Sequence, residues 1–91
     1  MANIGQFNVT STWTKISDIT SSSYAVGATY LIQNKGFPTL FLCESPTQPS
    51  TNDVGFAAKT DDKVLYTCKS GEYLWLRALA NTTQINIAEG E

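Results

Sequence analysis

Two cysteines, two adjacent aspartates and a few scattered glutamates are the residues of this chain whose types could do chemistry, and their spacing withholds it. Cys43 and Cys68 would be nucleophiles only as thiolates, and the 91-residue sequence holds no histidine to take their protons. Asp61 and Asp62 are direct neighbours, so in a strand or turn their carboxyls diverge rather than share a proton. They read more simply as the residues of a hairpin turn. Glu44 with Asn52 and Asp53 hints at calcium, but the spacing matches no loop that converges several oxygens on one ion. Glu72, Glu89 and Glu91 read as solvated charges. The expectation is a chain without enzymatic activity, metal or cofactor.

Recognition is better supplied. Alternation along residues 73–79 sets Tyr73, Trp75, Arg77 and Leu79 on one face of a strand, with Leu74, Leu76 and Ala78 on the other. Tyr, Trp and Arg are the side chains that dominate protein–protein hot spots. Trp75 has two readings: it belongs to the contact face, or it is the core centre while Leu74 and Leu76 meet a second sheet. Arg77 is the contact residue expected from this strand. Residues 1–12 are polar, with Ile4, Phe7 and Val9 isolated among them. They read as an arm that orders by docking, on its own domain or a neighbour, with Ile4 and Phe7 as its contacts. Trp13, Tyr24, Tyr30 and Tyr66 offer a platform for stacking sugar rings, or equally the apolar bulk of a core. Residues 44–53, stiffened by Pro46 and Pro49, are long enough to be a contact loop.

The elements that must position these residues are strands. Residues 13–16 alternate briefly, and residues 17–23 (SDITSSS) carry loop chemistry. Residues 24–30, interrupted by Gly27, continue extended through 33, and Asn34-Lys35-Gly36 supplies the positive-φ residues of a tight turn. Residues 39–43 are apolar on both faces, the mark of a strand covered on both sides. Residues 54–58, 63–68, 73–79 and 84–88 follow, with Val64, Tyr66 and Cys68 sharing a face. No helical period competes. The count is about seven or eight short strands, which reads as an all-β antiparallel sandwich or flattened barrel over residues 13–91.

A single small domain hides only roughly 60–65% of its unfolded surface, so self-association is the expected remedy where metal and multiple disulfides are lacking. The net charge of −2 and the dispersal of six basic residues argue against nucleic acid and against an anionic membrane surface. The longest uncharged apolar stretch, residues 37–43, is far too short to cross a bilayer. The first residues lack the basic and apolar regions of a secretory signal, which points to assembly in a cytoplasm and to reduced cysteines packed as small hydrophobes.

The succession YLIQNKG, LFLCES, VGF, GEYLWLRA and TQINIAEGE, covering residues 30–91, resembles small virion accessory proteins of tailed bacteriophages, of the decoration, head-fibre or tail-accessory kind. Its elements here are Gln33-Asn34 before the turn, the apolar strand with its Pro-rich spacer, Gly55-Phe56, the Leu-Trp-Leu-Arg-Ala strand and the acidic end. The resemblance implies a β-sandwich or barrel without catalysis, a homo-oligomer (a trimer above all), and attachment to capsid or tail subunits. The expected contacts are Ile4, Phe7, Tyr73, Trp75 and Arg77. A receptor- or glycan-binding module of a phage tail is the alternative, and it would use the tyrosines and the loop.

Overall fold

Alternating β-branched and aromatic residues pleat one side of each strand toward a shared interior, and two sheets are the smallest arrangement that hides all those sides. In the computed structural model, which describes residues 2–21, 26–50 and 55–90, the strands are β1 (Ala2–Thr10), β2 (Thr14–Lys15), β3 (Thr29–Asn34), β4 (Leu40–Ser45), β5 (Phe56–Ala58), β6 (Lys63–Thr67), β7 (Tyr73–Ala78) and β8 (Thr82–Gly90). They form two four-stranded antiparallel sheets, β1-β8-β3-β6 and β2-β7-β4-β5. The sheets do not close on each other, so the fold is a sandwich and not a barrel.

Strand β4 is central, with β7 on one side and β5 on the other; its Leu40 and Leu42 face the core, and its outward Phe41 lies under the Arg77 guanidinium. The segment read as an arm is β1, hydrogen-bonded along its length to β8 of its own domain, with Val9 buried in the core. Inward-facing Val9, Tyr30, Ile32, Ile85 and Ile87 of one sheet meet Leu40, Leu42, Leu74 and Leu76 of the other. Phe7, Val64 and Tyr66 pack at the margins of this core. Cys68 is buried in the core and Cys43 is half-buried on the opposite face of β4, and no disulfide joins them.

Three local readings are corrected. Residues 17–23 are not all loop: Ile16–Thr20 make one helical turn, α1, whose buried Ile16 plugs the sandwich and whose Thr20 hydroxyl donates back to the Ile16 carbonyl at 3.0 Å. Ser21 ends it in the left-handed region at φ 55°. Second, Asp61-Asp62 is not a hairpin, because β5 and β6 lie in different sheets and the turn is an arch between them. Third, Asn34 and Gly36 do not have positive φ; Asn34 closes β3 as a fully buried side chain. Tyr24, Asn52, Asp53 and Val54 lie outside the described residues.

Candidate functional site

The outward face of the β2-β7-β4-β5 sheet carries the Tyr/Trp/Arg strand read from the sequence. Leu74, Leu76 and Ala78 turn inward, as alternation requires, and Tyr73, Trp75 and Arg77 turn out. On this face cations and rings interleave. The Lys15 ammonium lies 4.5 Å from the Tyr73 ring centroid and 5.5 Å from that of Trp75. The Arg77 guanidinium lies 5.7 Å from Trp13 and 5.5 Å from Phe41. Cation–π contacts of this kind are worth about 0.5–1 kcal/mol each when partly exposed. They tie β2, β4 and β7 together across the sheet.

This face is a second small core more than a free surface. The Trp13 indole donates to the Ser50 carbonyl at 2.9 Å, Gln48 donates to the Trp13 carbonyl at 3.0 Å, and Pro49 is buried. The described part of the proline-bearing loop is therefore folded back on its own sheet. Trp75 donates to the Ser45 carbonyl at 3.0 Å, and Trp13 and Trp75 keep only 3% and 7% of their surface exposed. Among the expected contacts, Tyr73 and Arg77 are half-buried, Phe7 turns into the core, and Ile4 is partly exposed at a bulge between Asn3 and Gly5. The sugar-stacking platform is not assembled. Tyr30 and Trp13 are buried, Tyr66 packs against the core, and Tyr24 lies outside the described residues.

Sequence reading missed the outward face of the β1-β8-β3-β6 sheet. Gln6, Asn8 and Thr10 of β1 lie in register with Asn86, Gln84 and Thr82 of β8. Gln33, Leu31 and Thr29 of β3 continue the same face, and Leu65 and Thr67 of β6 complete it. Its side chains are amides, hydroxyls and the two leucines, with Lys63 at one corner as the charged member among the described strand residues. Hydrogen bonds already knit part of it: Gln84 donates to Gln6 at 3.4 Å and the Thr29 and Thr67 hydroxyls are 2.9 Å apart. The period-two recurrence of amides at 6 and 8 and at 84 and 86 was a legible signal of this face. The same polar alternation also marks ordinary solvated surface, so by itself it does not single this face out.

The third feature is a cleft of about 400 Å³ where β5 and β6 leave the sandwich open, lined by Leu42, Phe56, Val64, Tyr66 and Leu74. Glu44 and Lys69 stand at its rim, 3.4 Å apart. A hydrogen bond from Glu72 is the main cause holding the Glu44 carboxyl below the ordinary carboxylate value, with Tyr66 and Lys69 assisting. The same bond, and then repulsion from Glu44, raises Glu72. Glu44, as a depressed acid, adds stability above its ordinary value of 4.5, lost as pH falls through its folded pKa. Glu72, as a raised acid, adds stability at low pH that is lost as pH rises through its folded pKa. At neutral pH the two carboxylates repel, so Glu72→Gln, which keeps a donor toward Glu44, is expected to raise the neutral-pH melting temperature slightly. The gain should vanish once the pH drops below about 4.5. A melting temperature unchanged or lowered at pH 7 would dismiss the repulsion between the two carboxylates.

Among the described residues no cluster of three or more metal-ligating side chains occurs. In comparisons with known proteins, no family model, no curated protein and no solved structure matches this chain.

Proposed function

We propose that this chain is a non-enzymatic virion structural protein of a tailed phage, one that decorates or stabilises the capsid or tail by symmetric self-association and docking. The observation that carries the reading is the charge-poor outward face of the β1-β8-β3-β6 sheet, with Lys63 at its corner as the charged member among the described strand residues. Depletion of charge, more than bulk apolarity, marks the centre of protein–protein interfaces, and a flat sheet of amides and hydroxyls can satisfy its hydrogen bonds against another main chain or side-chain array. The cation–π face contributes in a different way: it makes the sandwich rigid, which lowers the ordering cost of docking. Three copies is the number implied by the resemblance to phage accessory proteins, and capsid or tail subunits are the partners it implies.

The test uses purified virions or shells lacking the protein. Asn8 is exposed and Asn86 half-exposed on the pairing strands β1 and β8, so Asn8→Lys with Asn86→Lys leaves the core untouched. The double variant is expected to lose occupancy at least about tenfold through two unpaired charges placed in the contact. Full occupancy would remove the docking role of this face. The amide face also suits sugar hydroxyls, so a glycan array on the intact protein separates the second reading, a receptor- or glycan-binding tail module. Strong glycan binding lost in the same double variant would replace the first reading with the second.

A further inference from the structure

The four sheet edges are not equally guarded. Strand β2 has two residues and β5 three, and β1 is broken by a bulge between Asn3 and Gly5. Beyond that bulge β1 keeps its register over Gly5–Thr10 but presents Gln6, Asn8 and Thr10 outward, whereas β6 has five regular residues with Leu65 at their centre, 64% exposed. A regular edge with an apolar centre is a template for another strand unless something covers it.

The phase of the β3–β6 ladder tells which β6 groups remain. The Asn34 amide donates to the Asp62 carbonyl at 3.1 Å and the Cys68 amide donates to the Ala28 carbonyl at 2.8 Å. With the register Ile32↔Val64 and Tyr30↔Tyr66, even-numbered β6 residues bond to β3. The N–H and C=O groups of Lys63, Leu65 and Thr67 therefore point away from the sheet.

We infer that β6 pairs antiparallel with β6 of a second copy of this chain about a two-fold axis at Leu65. The inference rests on the self-association reading above and names the contact. Two observations favour a second copy as the occupant. The outward groups are in phase for a two-fold: Leu65 faces Leu65 of the second copy as a hydrogen-bonded pair, and Lys63 faces Thr67 as another, so no like charges meet. The pairing also sets Leu31-Leu65 of both copies in one apolar row and brings the 75%-exposed Phe56 and the open cleft up to the second molecule. The contact is one strand wide, so it is a concentration-dependent junction and not an obligate one. Where its two-fold axis meets the axis of a cyclic unit at a right angle, the contact doubles that unit, three copies becoming six.

Light scattering on the full chain from micromolar to millimolar concentration tests this. The expected mass is an even number of chains at the upper end. Leu65→Pro, which removes the central outward N–H where an edge strand tolerates proline, should halve it. Leu65→Lys, which opposes two like charges and leaves the backbone intact, should halve it too and covers the case where the proline variant misfolds. A multimer of unchanged mass in the lysine variant, or a wild-type mass of three chains throughout, would overturn the β6 junction while leaving self-association standing. A single chain at every concentration would overturn both.

Discussion

Replacing Asn34 by Ala is expected to cost about 4 kcal/mol of folding stability, the largest loss from any polar side chain among the described residues. Asn34 is fully buried and all four of its hydrogen-bonding positions are used. Its Nδ2 donates to the Pro38 and Ala58 carbonyls, both at 2.9 Å. Its Oδ1 accepts from the Gly36 amide at 3.1 Å and from the Thr83 hydroxyl at 2.7 Å. One side chain thus joins β3 and β8 of one sheet to β5 and the β3–β4 arch of the other. Alanine removes these bonds and strands buried partners, each a desolvation cost of about 1–3 kcal/mol, discounted because the arch can relax toward water. A domain of this size has a total stability of only about 5–10 kcal/mol, so the variant should be largely unfolded at modest urea concentration. Thr83→Val, which deletes one bond and leaves Oδ1 bonded to Gly36, should cost about 1–2 kcal/mol. Urea titration of both variants reads this directly. A loss under about 1 kcal/mol for Asn34→Ala would mean that the arch refolds around water and that the asparagine is not the clamp described here.

The second large effect is expected at Gly36, for a steric reason. A Cβ built there meets the Thr83 hydroxyl closer than any real contact and comes within 2.9 Å of the Gln84 amide nitrogen and 3.2 Å of the Thr83 Cα. Lys35 also donates to the Gln84 carbonyl at 2.7 Å, so the arch is pressed onto β8 backbone to backbone and cannot step aside. Gly36→Ala should therefore cost about 3 kcal/mol by forced separation of arch and strand. Gly71→Ala is the informative comparison. Gly71 has φ +83° but nothing within 4 Å of its Cβ position, so only the backbone term of roughly 1–2 kcal/mol remains. Equal losses at the two glycines would show that the crowding at Gly36 relaxes freely. Because Gly36 and Asn34 act on the same arch, the double variant should fall short of the sum of the singles.

Both sites bear on function through position. The arch that Asn34 holds sets where β3 ends and where β8 begins, and those two strands form the middle of the charge-poor face proposed for docking. Loss of that clamp would disorder the face without touching a residue on it.

Strand identity and facing were readable from residue order. Alternation of Leu74, Leu76 and Ala78 against Tyr73, Trp75 and Arg77 decides which side turns in, and the structure agrees. The same holds for Val64, Tyr66 and Cys68, and for the two apolar faces of the central strand β4. These assignments depend on the pleat, which is local and has a period of two whatever the strand pairs with. Pairing itself was not readable. Asp61-Asp62 and Asn34-Lys35-Gly36 mark true turns, yet each joins strands of different sheets, because a polar turn looks the same whether the chain doubles back beside itself or crosses an interior. Only the interior distinguishes them, by demanding that β5 and β6, or β3 and β4, bury facing sides. The roles of Asn34 and Gly36 follow from the same fact: a turn asparagine becomes a buried four-bond clamp, and a turn glycine becomes a point of close approach, only when a distant strand, β8, arrives beside them. Trp13 and Trp75 are likewise buried by residues 45–50, which sequence order keeps some thirty positions away from either ring. Alternation is written in neighbours and survives any fold; burial, partners and exposed edges depend on long-range contacts that exist only once the two sheets have packed face to face.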